Sequence, residues 1–299
     1  MASSSPAPPS SVHVALCQMS VDPDKGTNIA RASHAIRDAA SRGAQLIVLP
    51  EMWNCPYAND SFPIYAEENV AEPGVGGSPS IQALAHLASD LQVTIVGGSI
   101  PERHGDALYN TCVVLGPTGN VLAQHRKTHL FDIDIPGKIT FRESDTLTRG
   151  PTGTIVDTPV GRLGIGICYD IRFPELAMIY AREGAQILIY PGAFNMTTGP
   201  LHWELLARAR AVDNQAYVLM CSPARDERAG YVAWGHSTAV SPFGAILGTT
   251  DDTESTVHAT LDLAEVDERR RNMPFDQQRR ADLYQLKYTQ EAFSVQNKG

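Results

Sequence analysis

Three polar residues of this 299-residue chain stand at the ends of apolar, strand-like runs: Glu51, Lys127 and Cys168. Glu51 closes Gly43-Ala-Gln-Leu-Ile-Val-Leu-Pro50-Glu51. Lys127 lies in Gln124-His-Arg-Lys127-Thr-His129. Cys168 follows the alternating run Arg162-Leu-Gly-Ile-Gly-Ile167 and precedes Tyr169-Asp170-Ile-Arg172-Phe-Pro174-Glu175. Each alone has an ordinary reading: a capping carboxylate, a solvated lysine, a buried structural cysteine. Together they suit acyl transfer, with a thiol nucleophile, a carboxyl general base and acid, and a fixed cation for the developing oxyanion. A Cys–His pair is the rival arrangement, and His125, His129, His202 and His236 are its candidates. Asp170 reads as a helix cap rather than a catalytic acid.

The elements that must position these residues alternate strand and helix. Strands are predicted over 12–19, 43–51, 93–99, 162–169, 185–191 and 216–222, and helices over 27–41, 80–91, 174–183 and 202–214. Hairpins are predicted at Gly116-Pro-Thr-Gly119 and around Pro242-Phe-Gly244. Such alternation implies right-handed βαβ units and an α/β fold. Gly43-Ala-Gln-Leu-Ile-Val-Leu-Pro50 is echoed by Gly184-Ala-Gln-Ile-Leu-Ile-Tyr-Pro191. Each follows a helix that itself follows a strand with a cysteine near its end, Cys17 or Cys168. The repeat predicts one domain of two similar halves over 12–290, with short tails at 1–11 and 291–299. Cys168 would sit on a tight turn where Pro174 fits a first helical position and Glu175 the first turn. Local amides and the helix dipole there predict a thiolate.

Composition bounds the partners. The chain is 43% hydrophobic and 19% charged, with a net charge of −9. An acidic chain without a long Lys/Arg block points away from nucleic acid and anionic membranes. Five cysteines scattered singly, with no Cys-x-x-Cys, suggest neither a zinc site nor a disulfide framework. Met1–Ser11 has neither the apolar core of a secretory signal nor the arginines of a transit peptide, so a cytoplasmic protein is expected. No apolar run is long enough to span a bilayer.

The blocks Leu49-Pro50-Glu51, Arg126-Lys127-Thr128-His129-Leu130 and Gly166-Ile-Cys168-Tyr-Asp-Ile-Arg172-Phe-Pro-Glu175 resemble, in order, those of the nitrilase (carbon–nitrogen hydrolase) superfamily. The resemblance covers about residues 12–290. It implies a four-layer α-β-β-α sandwich of two pseudo-symmetric halves and a Glu51–Lys127–Cys168 triad, with Glu143 as a second glutamate near the site. No metal or organic cofactor is implied. Lys127–Phe141, Tyr190–Glu204, Ala209–Gln215, Ser222–Arg225 and Tyr231–Ser237 resemble the ω-amidase branch, whose members hydrolyse the terminal amide of 2-oxoglutaramate and 2-oxosuccinamate.

Such substrates carry a carboxylate away from the reacting amide, which calls for a cation or several donors. The resemblance assigns substrate binding to Arg172, Phe194 and Thr198. Arg172 is well placed, four residues beyond Cys168; its alternative role is an ion pair with Asp170 or Glu175. Segment 132–137 is a loop expected to close over the site. Amidases of deaminated glutathione or of N-carbamoyl amines would use the same triad, and a catalytically silent binding subunit is a third alternative. A homodimer is implied by the resemblance and by apolar positions in 262–288: Leu263, Val266, Met273, Phe275, Leu283 and Tyr284.

Overall fold

Along Ser11–Gln18 (β1), Val12, Val14 and Leu16 pack into one core cluster while Ala15 and Cys17 pack into another. A strand buried on both faces has to lie inside a stack of layers. The computed structural model, which describes residues 11–72, 74–289 and 293–296, contains such a stack. The remaining strands in chain order are Leu46–Val48 (β2), Thr94–Val96 (β3), Ile100–His104 (β4), Ala107–Leu115 (β5), Val121–Arg126 (β6), Asp132–Ile135 (β7) and Ile139–Arg142 (β8). Then come Gly153–Thr158 (β9), Gly161–Ile165 (β10), Ile187–Pro191 (β11), Tyr217–Cys221 (β12), Thr238–Val240 (β13), Ile246–Thr249 (β14), Ser255–Asp262 (β15) and Phe293–Gln296 (β16). The helices are Lys25–Ser41 (α1), Phe62–Tyr65 (α2), Pro79–Leu91 (α3), Pro174–Arg182 (α4), Gly199–Asn214 (α5), Leu263–Asn272 (α6) and Phe275–Gln278 (α7).

One sheet is ordered β15-β1-β2-β3-β5-β4 with β6 on β5; the other is ordered β14-β13-β12-β11-β10-β9-β16. Ala32, Ile36 and Ala39 of α1 and Leu84, Leu87 and Ala88 of α3 cover the outer face of the first sheet. Ala177 and Tyr180 of α4 and Ala207 and Ala211 of α5 share a core with the second sheet. Val14, Val48 and Val96 from the inner face of the first sheet belong to the same core. The layers are therefore α-β-β-α, as the repeat and the resemblance imply. Parallel pairing of β1, β2 and β3 is matched by parallel pairing of β10, β11 and β12. This is the structural form of the internal repeat. Local signals agree with the helix starts: Asp24 accepts the Thr27 amide at 2.6 Å ahead of α1, and Pro174 opens α4.

Some expectations change. Segment 132–137 is part of an antiparallel hairpin, β7–β8, rather than an irregular loop. The alternation of Ile133 and Ile135 with Asp132 and Asp134 was its strand signal. Leu263 and Val266 are buried in the chain's own core, so they cannot serve a neighbour. β15 returns to pair with β1 over its whole length, forming the edge of the first sheet. Phe293–Gln296, within the expected C-terminal tail, pairs in parallel with β9. Residues 1–10, 291–292 and 297–299 of the two tails lie outside the described residues.

Candidate active site

The residues singled out in the sequence converge where the two sheets face each other. Glu51 leaves the end of β2, Lys127 follows β6, and both belong to the first sheet. Cys168 sits three residues past β10 of the second sheet. Its backbone is left-handed, with φ +47°, a conformation uncommon for a non-glycine residue and held only where the surroundings over-determine it. A 3₁₀ turn, Cys168–Arg172, intervenes before α4. Gly166 lets this elbow form, since a Cβ there would lie 2.6 Å from the Tyr190 ring.

Lys127 Nζ donates to Glu51 Oε1 and to Glu143 Oε1, each at 2.9 Å, with all three side chains fully buried. Glu51 Oε1 also accepts from Asn110 Nδ2 at 2.8 Å, and its Oε2 accepts from the Ala193 amide at 2.8 Å. Glu143 takes the Tyr57 hydroxyl at 2.7 Å and the Phe131 amide at 2.7 Å. Burial alone would lower the Lys127 ammonium's pKa, but Glu143 and Glu51 outweigh it and hold it well above its ordinary value. Burial, then Glu51, push the Glu143 carboxyl up against the pull of Lys127.

Cys168 is buried, and the Glu51 carboxylate acts on its thiol from nearby. Burial first, and the Glu51 carboxylate second, raise its thiol well above the ordinary value; Lys127 and the Ala193 amide only moderate this. The resting group is a thiol, not the thiolate that the turn and dipole argument predicts. Desolvation beside a carboxylate overrides the local amides. A buried thiol beside a carboxylate suits proton transfer at the moment of attack.

None of the four histidines pairs with Cys168. His125 and His129 both bond Asp170, His202 Nδ1 lies 3.1 Å from Arg172 Nη1, and His236 stacks on Trp234. Asp170 caps the elbow by accepting the Ile167 amide at 2.9 Å. With Asp170 occupied by histidines, Arg172 has neither of the expected ion pairs. Its guanidinium lies over the Phe194 ring at 4.7 Å and the Tyr169 ring at 5.6 Å, and among the described residues it meets no carboxylate. Burial lowers its pKa, and burial and Arg172 lower that of His202, so the imidazole beside Arg172 is neutral. Phe194 is buried edge-on against Trp203, and Thr198, at the start of α5, has its hydroxyl on Asn195 Oδ1 at 3.3 Å. The structure thus brings Arg172 and Phe194 together, with Thr198 on the loop that continues from Phe194.

Several participants were missed in the sequence. Asn110 is a polar residue in an otherwise apolar buried strand, which is itself a signal. Tyr57 stacks on Tyr231 with ring centroids 4.5 Å apart, and the Tyr231 hydroxyl bonds the Ala193 carbonyl. Phe131 and Phe141 of the β7–β8 region pack beside them. Beyond the tyrosine pair lies a cavity of about 320 Å³ whose lining includes Glu51, Tyr57, Ala193 and Tyr231.

Comparisons with known proteins bear on this site. The carbon–nitrogen hydrolase family model matches residues 13–271. The chain is 63% identical over 282 residues to an omega-amidase, chloroplastic, of Arabidopsis thaliana, covering 94% of this chain and 76% of that protein. It is 52% identical over 274 residues to omega-amidase NIT2 of Homo sapiens, covering 92% of this chain and 97% of that protein. Among solved structures, Nit3 of Saccharomyces cerevisiae, a member of the nitrilase superfamily, superposes with a TM-score of 0.83 at 43% identity over 90% of this chain and 97% of that one.

Proposed function

The chain belongs to the carbon–nitrogen hydrolase family and is an enzyme that hydrolyses amides, and on that premise we propose that it is an ω-amidase acting on short dicarboxylic mono-amides such as 2-oxoglutaramate and 2-oxosuccinamate. The observation that carries the substrate class is Arg172: a half-buried guanidinium on the Cys168 elbow that meets no carboxylate among the described residues. A substrate carboxylate supplies the missing anion and so places the far amide toward Cys168.

In the proposed mechanism Cys168 Sγ attacks the amide carbonyl while Glu51 takes the thiol proton. Lys127 faces the oxyanion that develops on the carbonyl oxygen. Glu51 returns the proton to nitrogen as the C–N bond breaks, and ammonia leaves. Water then attacks the thioester, giving its proton to Glu51. Collapse releases the dicarboxylate and restores the thiol. Glu143 fixes Lys127 from the side opposite Glu51, and Tyr57 orients Glu143. Phe194 forms the wall beneath the Arg172 guanidinium, and Thr198 closes the same side.

Rates on 2-oxoglutaramate, deaminated glutathione and N-carbamoylputrescine, measured side by side, test the reading. Highest kcat/KM on 2-oxoglutaramate is expected; a preference for either of the others overturns it.

A homodimer is part of the same reading: of the positions named in 262–288, Leu263 and Val266 are buried, whereas Met273, Leu283 and Tyr284 remain exposed. On α5, Leu201 and Leu205 are 66% and 62% exposed and lie one turn apart. Phe243 adds further exposed apolar surface. Sedimentation should give a dimer at micromolar concentration and a monomer for Leu205→Glu; a monomeric parent protein refutes this. No helix among the described residues is long and apolar enough to cross a membrane. Five unpaired cysteines support a cytoplasmic location, which imaging of the tagged full chain would test.

A further inference from the structure

We propose that Asp170 is a positioning residue that holds Lys127 in register with Cys168 across the two sheets. Its carboxylate is fully buried and accepts four hydrogen bonds. Oδ1 takes the His129 amide at 2.9 Å and His129 Nδ1 at 2.7 Å. Oδ2 takes the Ile167 amide at 2.9 Å and His125 Nε2 at 3.1 Å. An ionised carboxylate has about four acceptor sites, so none is left over.

The identities of the four donors carry the argument. His125 and His129 stand two residues to either side of Lys127, and Ile167 directly precedes Cys168. One carboxylate therefore grips both flanks of the oxyanion-facing lysine and the strained elbow of the nucleophile. The Lys127 backbone is already fixed on its own side, its amide to the Asn110 carbonyl and its carbonyl to the Gly150 amide, each at 2.8 Å. Those bonds do not reach the second sheet. Glu51 has its own tie there, through the Ala193 amide; Asp170 supplies the corresponding tie for Lys127.

The surrounding groups set the donors in the required form. Because the ionised carboxylate can only accept, His125 presents Nε2–H to Asp170, with Thr154 Oγ1 3.0 Å from its Nδ1. His129 lies flat against Phe173, with centroids 3.7 Å apart and an interplanar angle of 9°. Burial works to raise the Asp170 pKa, but hydrogen bonds from His125 and His129 outweigh it and keep the carboxylate ionised. An amide in its place presents N–H groups where Ile167 N–H already points, so Asp170→Asn keeps the volume and breaks the clamp.

This inference rests on the roles proposed above for Lys127 and Cys168. Lys127 acts on charge that develops in the transition state, so misplacing its ammonium should appear in kcat. Asp170→Asn is expected to lower kcat roughly ten- to a hundredfold, less than the roughly hundred- to thousandfold of losing an oxyanion donor outright, with KM changed less than about threefold and the circular dichroism retained. In a Lys127→Met background the same substitution should cost less than about threefold, because the group it positions is gone. Single-turnover measurement with excess enzyme keeps the slow variants readable. A folded Asp170→Asn enzyme with wild-type kcat, or an equal loss in both backgrounds, overturns the proposal. If Asp170→Asn does not fold, His129→Ala removes one donor from a partly exposed ring and should lower kcat roughly three- to tenfold; an unchanged kcat overturns the proposal as well. Activity in Cys168→Ala would instead defeat the underlying assignment of the nucleophile.

Discussion

Arg172→Met gives the sharpest test of how the substrate is held. The guanidinium is half-buried, meets no carboxylate among the described residues, and has a neutral imidazole as its hydrogen-bond partner at 3.1 Å. A substrate carboxylate would therefore form its one charge-assisted pair. Such a bond is worth about 1.5–3 kcal/mol, and each 1.4 kcal/mol is tenfold, so kcat/KM on 2-oxoglutaramate should fall roughly ten- to a hundredfold or more. Methionine keeps much of the apolar stem and its contact with Phe194, which limits loss of packing. The assay is ammonia release from 2-oxoglutaramate and, in parallel, from a neutral short amide such as butyramide. The neutral amide cannot use the pair, so its slow turnover should change little. Equal losses on both substrates would refute the anchor and make Arg172 a brace of the elbow, acting through His202 and the rings of Tyr169 and Phe194.

Other perturbations probe the triad and its frame. Lys127→Met should lower kcat by roughly two to three orders of magnitude in ammonia-release assays; it leaves two buried carboxylates facing each other, so a lower melting temperature is expected too. Glu51→Gln should abolish amide turnover yet leave Cys168 open to alkylation by iodoacetamide. Because burial and then the Glu51 carboxylate raise the thiol above 9.0, wild-type alkylation should still accelerate above that pH, and the variant's curve should shift to lower pH. Gly166→Ala puts a methyl 2.6 Å from the buried Tyr190 ring and should destabilise the protein by about 1–3 kcal/mol in urea unfolding.

The two similar halves were legible in the residue order, and the four layers came from the family resemblance. Alternation along Val12–Gln18 and the echo of 43–50 by 184–191 need only neighbouring residues to be recognised. The return strand β15 was not legible, since its partner β1 lies more than two hundred residues away. The hairpin β7–β8 was hidden by its Pro136-Gly137 turn, which reads as a loop when the short flanking alternation is ignored. At the site, Glu51, Lys127 and Cys168 stood out by following apolar runs. The protonation state of Cys168 did not, because it depends on burial against Glu51 of the opposite sheet. Asn110 and Tyr57 escaped for the same reason: each acts on a group brought to it by tertiary packing. Asp170 was recognised as a cap, but its grip on His125 and His129 exists only once the two sheets meet.

The central claim is that Cys168 forms a thioester with the substrate's acyl group. Rapid acid quenching of the enzyme during turnover of 2-oxoglutaramate, followed by peptide mass spectrometry, tests it directly. The account predicts a 2-oxoglutaryl adduct on the peptide carrying Cys168, absent from the Cys168→Ala variant, which should be folded and inactive. Normal turnover with no adduct on any cysteine, or an adduct on Cys17, Cys55, Cys112 or Cys221 in its place, would contradict it.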